Sequence, residues 1–339
     1  MLKLFIAKFL SFATLGFLVI IVSCNSAFAF GKSNDLISNV EPYKAPEITG
    51  INQWFNSKPL TLESLRGKVV LVDFWTYSCI NCIRTLPHMN ALQEKYASQG
   101  LVIIGIHAPE FDFEKSAANV EAAIKKFHIK YPVAMDNNRK TWDNFVNRYW
   151  PAHYLIDQNG EVVYTHFGEG EYDVMENNVK ALLKISGKVA KKSDESFSAQ
   201  TAETYLGNSR AERNANLDKK HFAFPKKLAL HNWALNGNWK MAEEFSEAGD
   251  DKAALRLHFQ GKKVFLVMAS KDEKPISVAI KLNGKSVEKQ AGVDVKASSV
   301  KVQESRLYEL LQFKSAEKGE LEITPSRAGL RVYAFTFGG

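Results

Sequence analysis

The sequence predicts two domains, an α/β domain with a central sheet flanked by helices and then an all-β, jelly-roll-like sandwich. In residues 69–72 an apolar, β-branched run leads through a Cys-x-x-Cys pair into a stretch with helical spacing. A second apolar run over 101–107 completes a parallel βαβ unit. Beyond residue 200, short apolar runs with turn signals about every 8 to 12 residues replace the helical pattern.

The first 29 residues have the parts of a secretory signal peptide. Lys3 and Lys8 precede an apolar run over residues 9–22, and the small-residue site Ala27-Phe-Ala29 follows. The run is shorter than the roughly 20 residues of a membrane-spanning helix, which disfavours a retained anchor. We therefore expect export, with cleavage after Ala29.

A second interpretation of this region involves Cys24. The segment Ile21-Val-Ser-Cys24 resembles the lipobox of bacterial lipoproteins, in which the cysteine is lipidated and tethers the protein to a membrane. Its Ile and Val match that pattern less well than Leu and small residues do, so cleavage after Ala29 is favoured. Both alternatives predict a protein of the periplasm or cell envelope, where disulfides are permitted.

The α/β domain is expected over residues 51–186. Residues 30–50, with two prolines, predict a flexible lead-in, and residues 51–67 predict a short hairpin and a turn of helix. Helical spacing returns after the second strand, over 114–127 and 139–149.

The end of this domain and the start of the next are also predicted. Residues 154–157 and 161–167 read as a hairpin, and a last helix covers 173–185. Residues 187–200 have no periodicity and predict a linker, followed by the sandwich over 201–339. Its short strands are expected near 255–259, 264–268, 276–282, 300–302, 307–313, 321–323 and 330–337, with Asn283-Gly284 as a type I′ turn signal.

Composition excludes some classes of function. With 45% hydrophobic and 24% charged residues, the chain is typical of globular proteins. The formal net charge of +7, part of it in the signal segment, is too diffuse to indicate nucleic-acid binding. No histidines have metal-ligand spacing, so we expect no metal and no cofactor.

Cys79 and Cys82 are the best evidence for function. If Cys79 stands at the start of the helix, Cys82 lies one turn further on, close enough to form a disulfide. Unpaired N–H groups and the helix dipole stabilise a thiolate on Cys79, the expected nucleophile. A structural zinc site needs about four ligands, and the sequence has no second cysteine pair; an inert disulfide is the other alternative.

Asp73 lies in the middle of an apolar strand, six residues before Cys79. A carboxylate buried there is costly unless it accepts or donates protons. The alternative is an aspartate at a strand end that faces solvent.

The stretch Val-Asp-Phe-Trp-x-x-x-Cys-x-x-Cys, with Pro87 five residues beyond, resembles the thioredoxin superfamily and its exported TlpA-like branch. Tyr-Ser-Cys-Ile-Asn-Cys and residues 136–157 are similar to the soluble part of DipZ-type proteins. Their carbohydrate-binding-like C-terminal module has motifs similar to Glu203-Thr-Tyr-Leu-Gly207 and residues 333–338. The resemblance covers about residues 50–339 and implies a thioredoxin-like domain followed by this module.

The resemblance also implies roles for single residues. Asp73 would take the proton of Cys82, which resolves the mixed disulfide formed by Cys79. Pro151 matches the proline that has a cis peptide bond and faces the dithiol; a plain strand-initiating turn is the alternative.

Three further residues would flank the site. Trp75 is expected to border it rather than to belong wholly to the core. Ile80 and Asn81, between the cysteines, should tune the redox potential.

Two departures from the relatives bear on partners. DipZ-type proteins usually carry a membrane electron-transfer domain, in whose place this chain has a signal peptide, so a separate CcdA- or DsbD-type membrane protein is the expected electron donor. Many TlpA-like relatives have Glu where this chain has Thr85, so the role of that Glu is not carried over.

We therefore predict an exported thiol–disulfide oxidoreductase that reduces disulfides of envelope proteins. One alternative is a carbohydrate or cell-envelope binding protein, with glycans stacked on Trp233 or Trp239, although tryptophans of a sandwich belong more often to the core. Another is a peroxide-reducing redoxin, but the sequence has no Pro-x-x-x-Thr/Ser-x-x-Cys context.

Overall fold

The computed structural model describes residues 36–187, 200–216 and 221–338, and the predicted α/β domain is present in the first of these ranges. Its sheet contains β1 (Tyr43–Lys44), β2 (Gln53–Phe55), β3 (Val69–Trp75), β4 (Leu101–His107), β5 (Val133–Met135), β6 (Ala152–Ile156) and β7 (Glu161–Phe167). Its helices are α1 (Ile80–Tyr96), α2 (Ala117–Lys126), α3 (Lys140–Asn144) and α4 (Tyr172–Leu182). The strand order is β1-β7-β6-β3-β4-β5-β2, with β3, β4 and β5 parallel.

Strand β3 lies at the centre of this sheet and is buried at every position. Val69 and Leu71 face the core that contains the apolar side of α1, while Val70, Val72 and Phe74 face a second core on the other side. Successive side chains of a strand point to opposite faces, so a continuous apolar run fits a strand covered on both faces.

The lead-in differs from the sequence prediction. The sequence predicts a flexible lead-in over residues 30–50, but from residue 36 onward the chain lies against the sheet. Strand β1 pairs with β7, and Ala45 and Ile48 are buried. The side chain of Ser38 donates a hydrogen bond to the carbonyl of Val163, 2.7 Å away. Prolines mark breaks in regular structure, but burial of apolar side chains orders the segment.

Several element boundaries also differ. Strand β2 pairs with β5 rather than forming a local hairpin, because its partner is supplied by residues far along the chain. The predicted helix over 139–149 ends at Asn144, and Val146 has a positive φ of 52°. The hairpin of β6 and β7 and the helix α4 are confirmed.

The named strands of the second sheet all pair antiparallel with one another. Its strands are β8 (Thr204–Tyr205), β9 (Trp233–Asn236), β10 (Trp239–Met241), β11 (Ser246–Ala248), β12 (Ala254–Ser270), β13 (Ile276–Leu282), β14 (Lys285–Ser286), β15 (Ser299–Val302), β16 (Arg306–Pro325) and β17 (Leu330–Gly338). The central order is β10-β11-β17-β12-β16-β13-β14. We retain 51–186 and 201–339 as proposed domain limits.

Two of these strands are much longer than the sequence predicts. Strands β12 and β16 have 17 and 20 residues and pair with each other along most of their length. The first half of β12 also pairs with β9 and the second half with β17, with a register shift after Gly261. Side chains of both halves enter one core, so the sheet folds over itself into the predicted sandwich.

The turn signal in this domain is confirmed. Asn283 and Gly284 have φ values of 52° and 76°, as a type I′ turn requires, and they join β13 to β14.

The two sheets meet through the loop that follows β4. The rings of Phe111 and Phe113 lie 5.1 and 4.9 Å from the ring of Tyr333 on β17. Beside them, the carboxylate of Glu110 accepts hydrogen bonds from Tyr205 and Arg210, at 2.7 and 2.8 Å. The C-terminal domain therefore packs directly on a loop of the α/β domain.

The signal segment with Cys24 and most of the predicted linker lie outside the described residues. In the part of the chain that the structure does describe, no helix is long and apolar enough to cross a membrane.

Candidate active site

The cysteine pair lies at the N terminus of α1, as the sequence predicts. Cys79 is the N-cap residue, with extended backbone angles of φ −81° and ψ 118°, and its carbonyl accepts the first helical hydrogen bond, from Ile83. Both cysteines are free thiols; Cys79 is half-buried and Cys82 is buried. Only the sulfur of Cys79 is therefore open to a substrate.

The two thiols differ in environment. Burial raises the pKa of the Cys82 thiol well above its usual value, and the neighbouring Cys79 and the charge of Asp73 add to the increase. Cys82 thus keeps its proton until a base removes it.

The loop before β6 faces Cys79. The peptide bond between Trp150 and Pro151 is cis, and the Trp150 carbonyl oxygen lies 4.0 Å from Sγ of Cys79. The indole of Trp150 donates to the carbonyl of Ala108 at 3.0 Å, and the guanidinium of Arg139 lies 4.9 Å from its ring. These contacts hold the loop over the dithiol.

Asp73 is buried beneath the cysteines, with 1% of its surface exposed. Its carboxylate oxygens have no hydrogen bond with any described residue. Nε2 of His153 is 3.4 Å from Oδ1, without hydrogen-bond geometry. Burial raises the pKa of Asp73 to about 7. The alternative of a solvent-facing strand end is excluded, and the group is able to exchange a proton near neutral pH.

The flanking residues have distinct surroundings. Trp75 is fully buried in the core cluster that contains Cys82, so it lies beneath the site rather than at its border. Gly105 on β4 makes room for it, because a Cβ there would lie 3.0 Å from the indole nitrogen of Trp75. Ile80 is buried as well.

Asn81 takes part in a hydrogen-bonded chain at the other side of the helix. Its side-chain oxygen accepts from Arg84 at 2.9 Å, and Arg84 binds both carboxylate oxygens of Glu169 at 2.7 Å. A Cβ on Gly338, at the end of β17, would collide with the guanidinium of Arg84. The C-terminal domain therefore lies next to this set of hydrogen bonds. The first turn of α1 is thereby held in place by Glu169, which lies outside the helix.

Glu114 is a site residue that sequence reasoning missed. Its fully buried carboxylate accepts from the Ser78 backbone and hydroxyl, at 3.3 and 2.7 Å, and from the amides of Glu110 and Phe111, at 2.6 and 3.0 Å. Burial raises the pKa of Glu114, whereas the hydrogen bonds from Ser78, Thr76 and Phe111 lower it by less. No sequence signal identified it, because its partner Ser78 lies in another loop.

Two buried histidines near the site carry no motif in the sequence that would identify them. His153 lies opposite Asp73 in the sheet, and His107 stacks on Tyr77 with ring centroids 5.7 Å apart. Burial lowers the pKa of each to about 3, so both are neutral.

Among the described residues, no group of three or more His, Cys, Asp or Glu side chains is arranged to hold a metal ion. Trp233 and Trp239 are buried in the sandwich core, so neither ring is available to stack on a sugar.

Comparison with known proteins agrees with this geometry. Residues 43–165 match the AhpC/TSA family, and residues 201–338 match the family described as thioredoxin like C-terminal domain. The thiol-disulfide oxidoreductase YkuV of Bacillus subtilis is 30% identical over 139 residues, which are 41% of this chain and 93% of that protein. The chain belongs to the thiol–disulfide oxidoreductase family.

A second similarity extends over most of this chain. Protein DipZ of Mycobacterium bovis and of Mycobacterium tuberculosis is 36% identical over 318 residues, 87% of this chain. The match is 43% of the length of those proteins, so the chain spans less than half of them. A solved thioredoxin-like superfamily protein is 27% identical and matches 42% of this chain and 97% of its own, with a TM-score of 0.40. The predicted resemblance to DipZ-type proteins is confirmed.

Proposed function

We propose that this oxidoreductase reduces disulfides of proteins in the periplasm or cell envelope through Cys79 and Cys82. The observation that carries the proposal is the pairing of an accessible Cys79 at a helix N terminus with a buried Cys82 that has Asp73 beside it. An accessible thiolate attacks, and a buried thiol with its own base resolves.

The reaction has two steps. The Cys79 thiolate attacks one sulfur of the substrate disulfide, forming a mixed disulfide and releasing the first substrate thiolate. Asp73 then takes the proton of Cys82, whose sulfur attacks Sγ of Cys79 and releases the second thiolate. Two electrons pass from the dithiol to the substrate, and the enzyme is left with a Cys79–Cys82 disulfide.

The surrounding residues support this assignment. The Trp150 carbonyl beside Sγ of Cys79 and the cis Pro151 form one wall of the site, against which a substrate backbone lies. Ile80 and Asn81 set the redox potential, Asn81 through its hydrogen bond with Arg84. Trp75 supports the pair from below.

Export and the electron donor are part of the proposal. Cleavage after Ala29 would release the protein, whereas lipidation of Cys24 would tether it. A separate CcdA- or DsbD-type membrane protein would reduce the Cys79–Cys82 disulfide after each turnover. The C-terminal domain would position the enzyme or recognise a partner.

The experiment that tests this function combines an assay with a potential. The wild type should reduce insulin disulfides, Cys79→Ser should be inactive, and Cys82→Ser should accumulate a mixed disulfide with the substrate. We expect a reduction potential near the thioredoxin value of about −270 mV. A value near −120 mV would contradict the reductase direction.

The match to the AhpC/TSA family supports peroxide reduction as a second candidate. Consumption of hydrogen peroxide by the wild type, faster than its reduction of insulin, would favour this candidate. The glycan-binding alternative rests on the resemblance of the C-terminal module alone. It would be favoured if the full chain binds glycans while the wild type and Cys79→Ser are equally inactive toward insulin.

A further inference from the structure

A row of ionisable side chains crosses the sheet from the buried base to the surface. Asp73 on β3 lies opposite His153 on β6, and His153 lies opposite His166 on β7. Residues directly opposite each other in a sheet project on the same face. Nδ1 of His166 is 3.3 Å from a carboxylate oxygen of Glu171, the N-cap residue of α4.

Exposure increases steadily along this row. The side chains of Asp73 and His153 are 1% and 2% exposed, whereas those of His166 and Glu171 are 14% and 56% exposed. The row therefore begins beside the dithiol and ends in solvent.

The histidines have the chemistry to pass a proton. Both ring nitrogens of His153, and Nε2 of His166, make no hydrogen bond with any residue in the described ranges. A neutral imidazole accepts a proton at one nitrogen and releases one from the other. The rings are nearly parallel, at 19°, with centroids 6.0 Å apart, so transfer between them requires ring rotation.

The proposed reaction needs such a path. Each turnover leaves the proton of Cys82 on Asp73, which is shielded from solvent. The hydroxyl of Tyr131, which also interacts with Asp73, is buried without a partner among the described residues and leads no further. The route that remains for the proton leads across β6 and β7.

We propose that His153, His166 and Glu171 conduct the proton between Asp73 and solvent during dithiol exchange. This inference rests on the proposed function, in which Asp73 receives the proton of Cys82.

In the Nδ1–H tautomer of His153, protonated Asp73 donates from Oδ1 to Nε2, and the proton on Nδ1 moves to His166. Nδ1 of His166 delivers a proton to Glu171, which exchanges it with water. His153 holds two protons only briefly, because burial lowers the pKa of its imidazole. The nearby His166 ring adds to this effect, and the His166 backbone opposes it. Ring rotation restores the starting tautomers.

Stopped-flow mixing of the reduced full chain with 5,5′-dithiobis(2-nitrobenzoate) tests the path, using tryptophan fluorescence for dithiol oxidation and an indicator dye for proton release. The thiols formed from this small disulfide stay ionised at neutral pH, so they do not take up the proton that leaves Cys82. His166→Gln should oxidise its dithiol at the wild-type rate but release its proton at least about 10-fold more slowly, since a positioned proton-transfer group contributes roughly 10²–10⁴-fold. His153→Gln changes a side chain that faces the base Asp73, so its proton release is compared with its own rate of dithiol oxidation and should lag behind that rate by a similar factor. Added imidazole should restore proton release in both variants.

His107→Gln is the matched control, because it removes a buried imidazole near the site but off the row. It should show no lag in proton release and no response to imidazole. If both row variants release protons as fast as the wild type, the path is wrong, while the proposed function stands. If Asp73→Asn resolves the mixed disulfide at the wild-type rate, the role of Asp73 itself is wrong and the path fails with it.

Discussion

At the scale of single residues, the protonation of Asp73 governs both stability and chemistry. Cys82, Tyr131 and His153 face its carboxyl group, and none of them changes charge near neutral pH. Burial raises the pKas of the thiol and the phenol and lowers that of the imidazole, so all three are neutral. Asp73 is the member of this group that titrates, with a pKa of about 7 against 3.8 when unfolded.

Asp73→Asn should stabilise the reduced protein at high pH. Between pH 4 and 7 the folded state keeps the proton that the unfolded state has lost, so the free energy of unfolding of the wild type falls as pH rises. A difference of about three pKa units corresponds to about 4 kcal/mol, which the substitution recovers above pH 7. Denaturant unfolding of both proteins from pH 4 to 8 measures this. If the free energies of unfolding of the two proteins change with pH in the same way, Asp73 does not titrate as a buried carboxyl group in this range.

At the scale of secondary-structure elements, the loops around the site are held by one carboxylate. Glu114 connects the residue before Cys79 to the loop that follows β4, through Ser78, Glu110 and Phe111. The start of α1 is therefore held by contacts with the loop after β4 as well as by its N-cap residue.

Glu114→Gln should loosen this connection. The amide of Gln keeps one acceptor oxygen for Glu110 and Phe111 but leaves the Ser78 amide unpaired, which costs about 1–3 kcal/mol. We expect lower stability and a changed rate of alkylation at Cys79.

Urea unfolding and iodoacetamide kinetics check both effects. The control is Glu121→Gln on α2, an exposed residue paired with Lys125, whose loss costs about 0.5 kcal/mol or less. Equal effects of the two variants would show that Glu114 has no special role.

At the scale of the whole molecule, the C-terminal domain completes the surroundings of the dithiol. The ring of Tyr333 contacts the rings of Phe111 and Phe113 in the α/β domain and that of Phe245 in its own domain. The same loop leads to Glu114, so the position of this domain and the shape of the active site depend on each other.

Tyr333→Ala should weaken this contact between domains. Removing a large buried aromatic side chain costs about 3–5 kcal/mol. The amides of Glu110 and Phe111 should then exchange hydrogen faster, as measured by mass spectrometry. Val293→Ala, at a side chain 74% exposed, is the control and should change nothing. Unaltered exchange in Tyr333→Ala would mean that the loop is held by the α/β domain alone.

The sequence by itself determined the local features of this protein. The βαβ unit, the placement of Cys79 and Cys82 at its helix and the Asn283-Gly284 turn follow from periodicity and residue type over short stretches. The resemblance to known oxidoreductases added the match of Pro151 to a cis proline.

Only the tertiary structure decided the rest. It ordered residues 36–50 against the sheet, joined predicted short strands into β12 and β16, and buried Trp75 beneath the site. It also brought His153 to Asp73 and Glu114 to Ser78. These results depend on strand register and on contacts between residues far apart in the chain, where burial and backbone hydrogen bonding, rather than local propensity, decide which groups become neighbours.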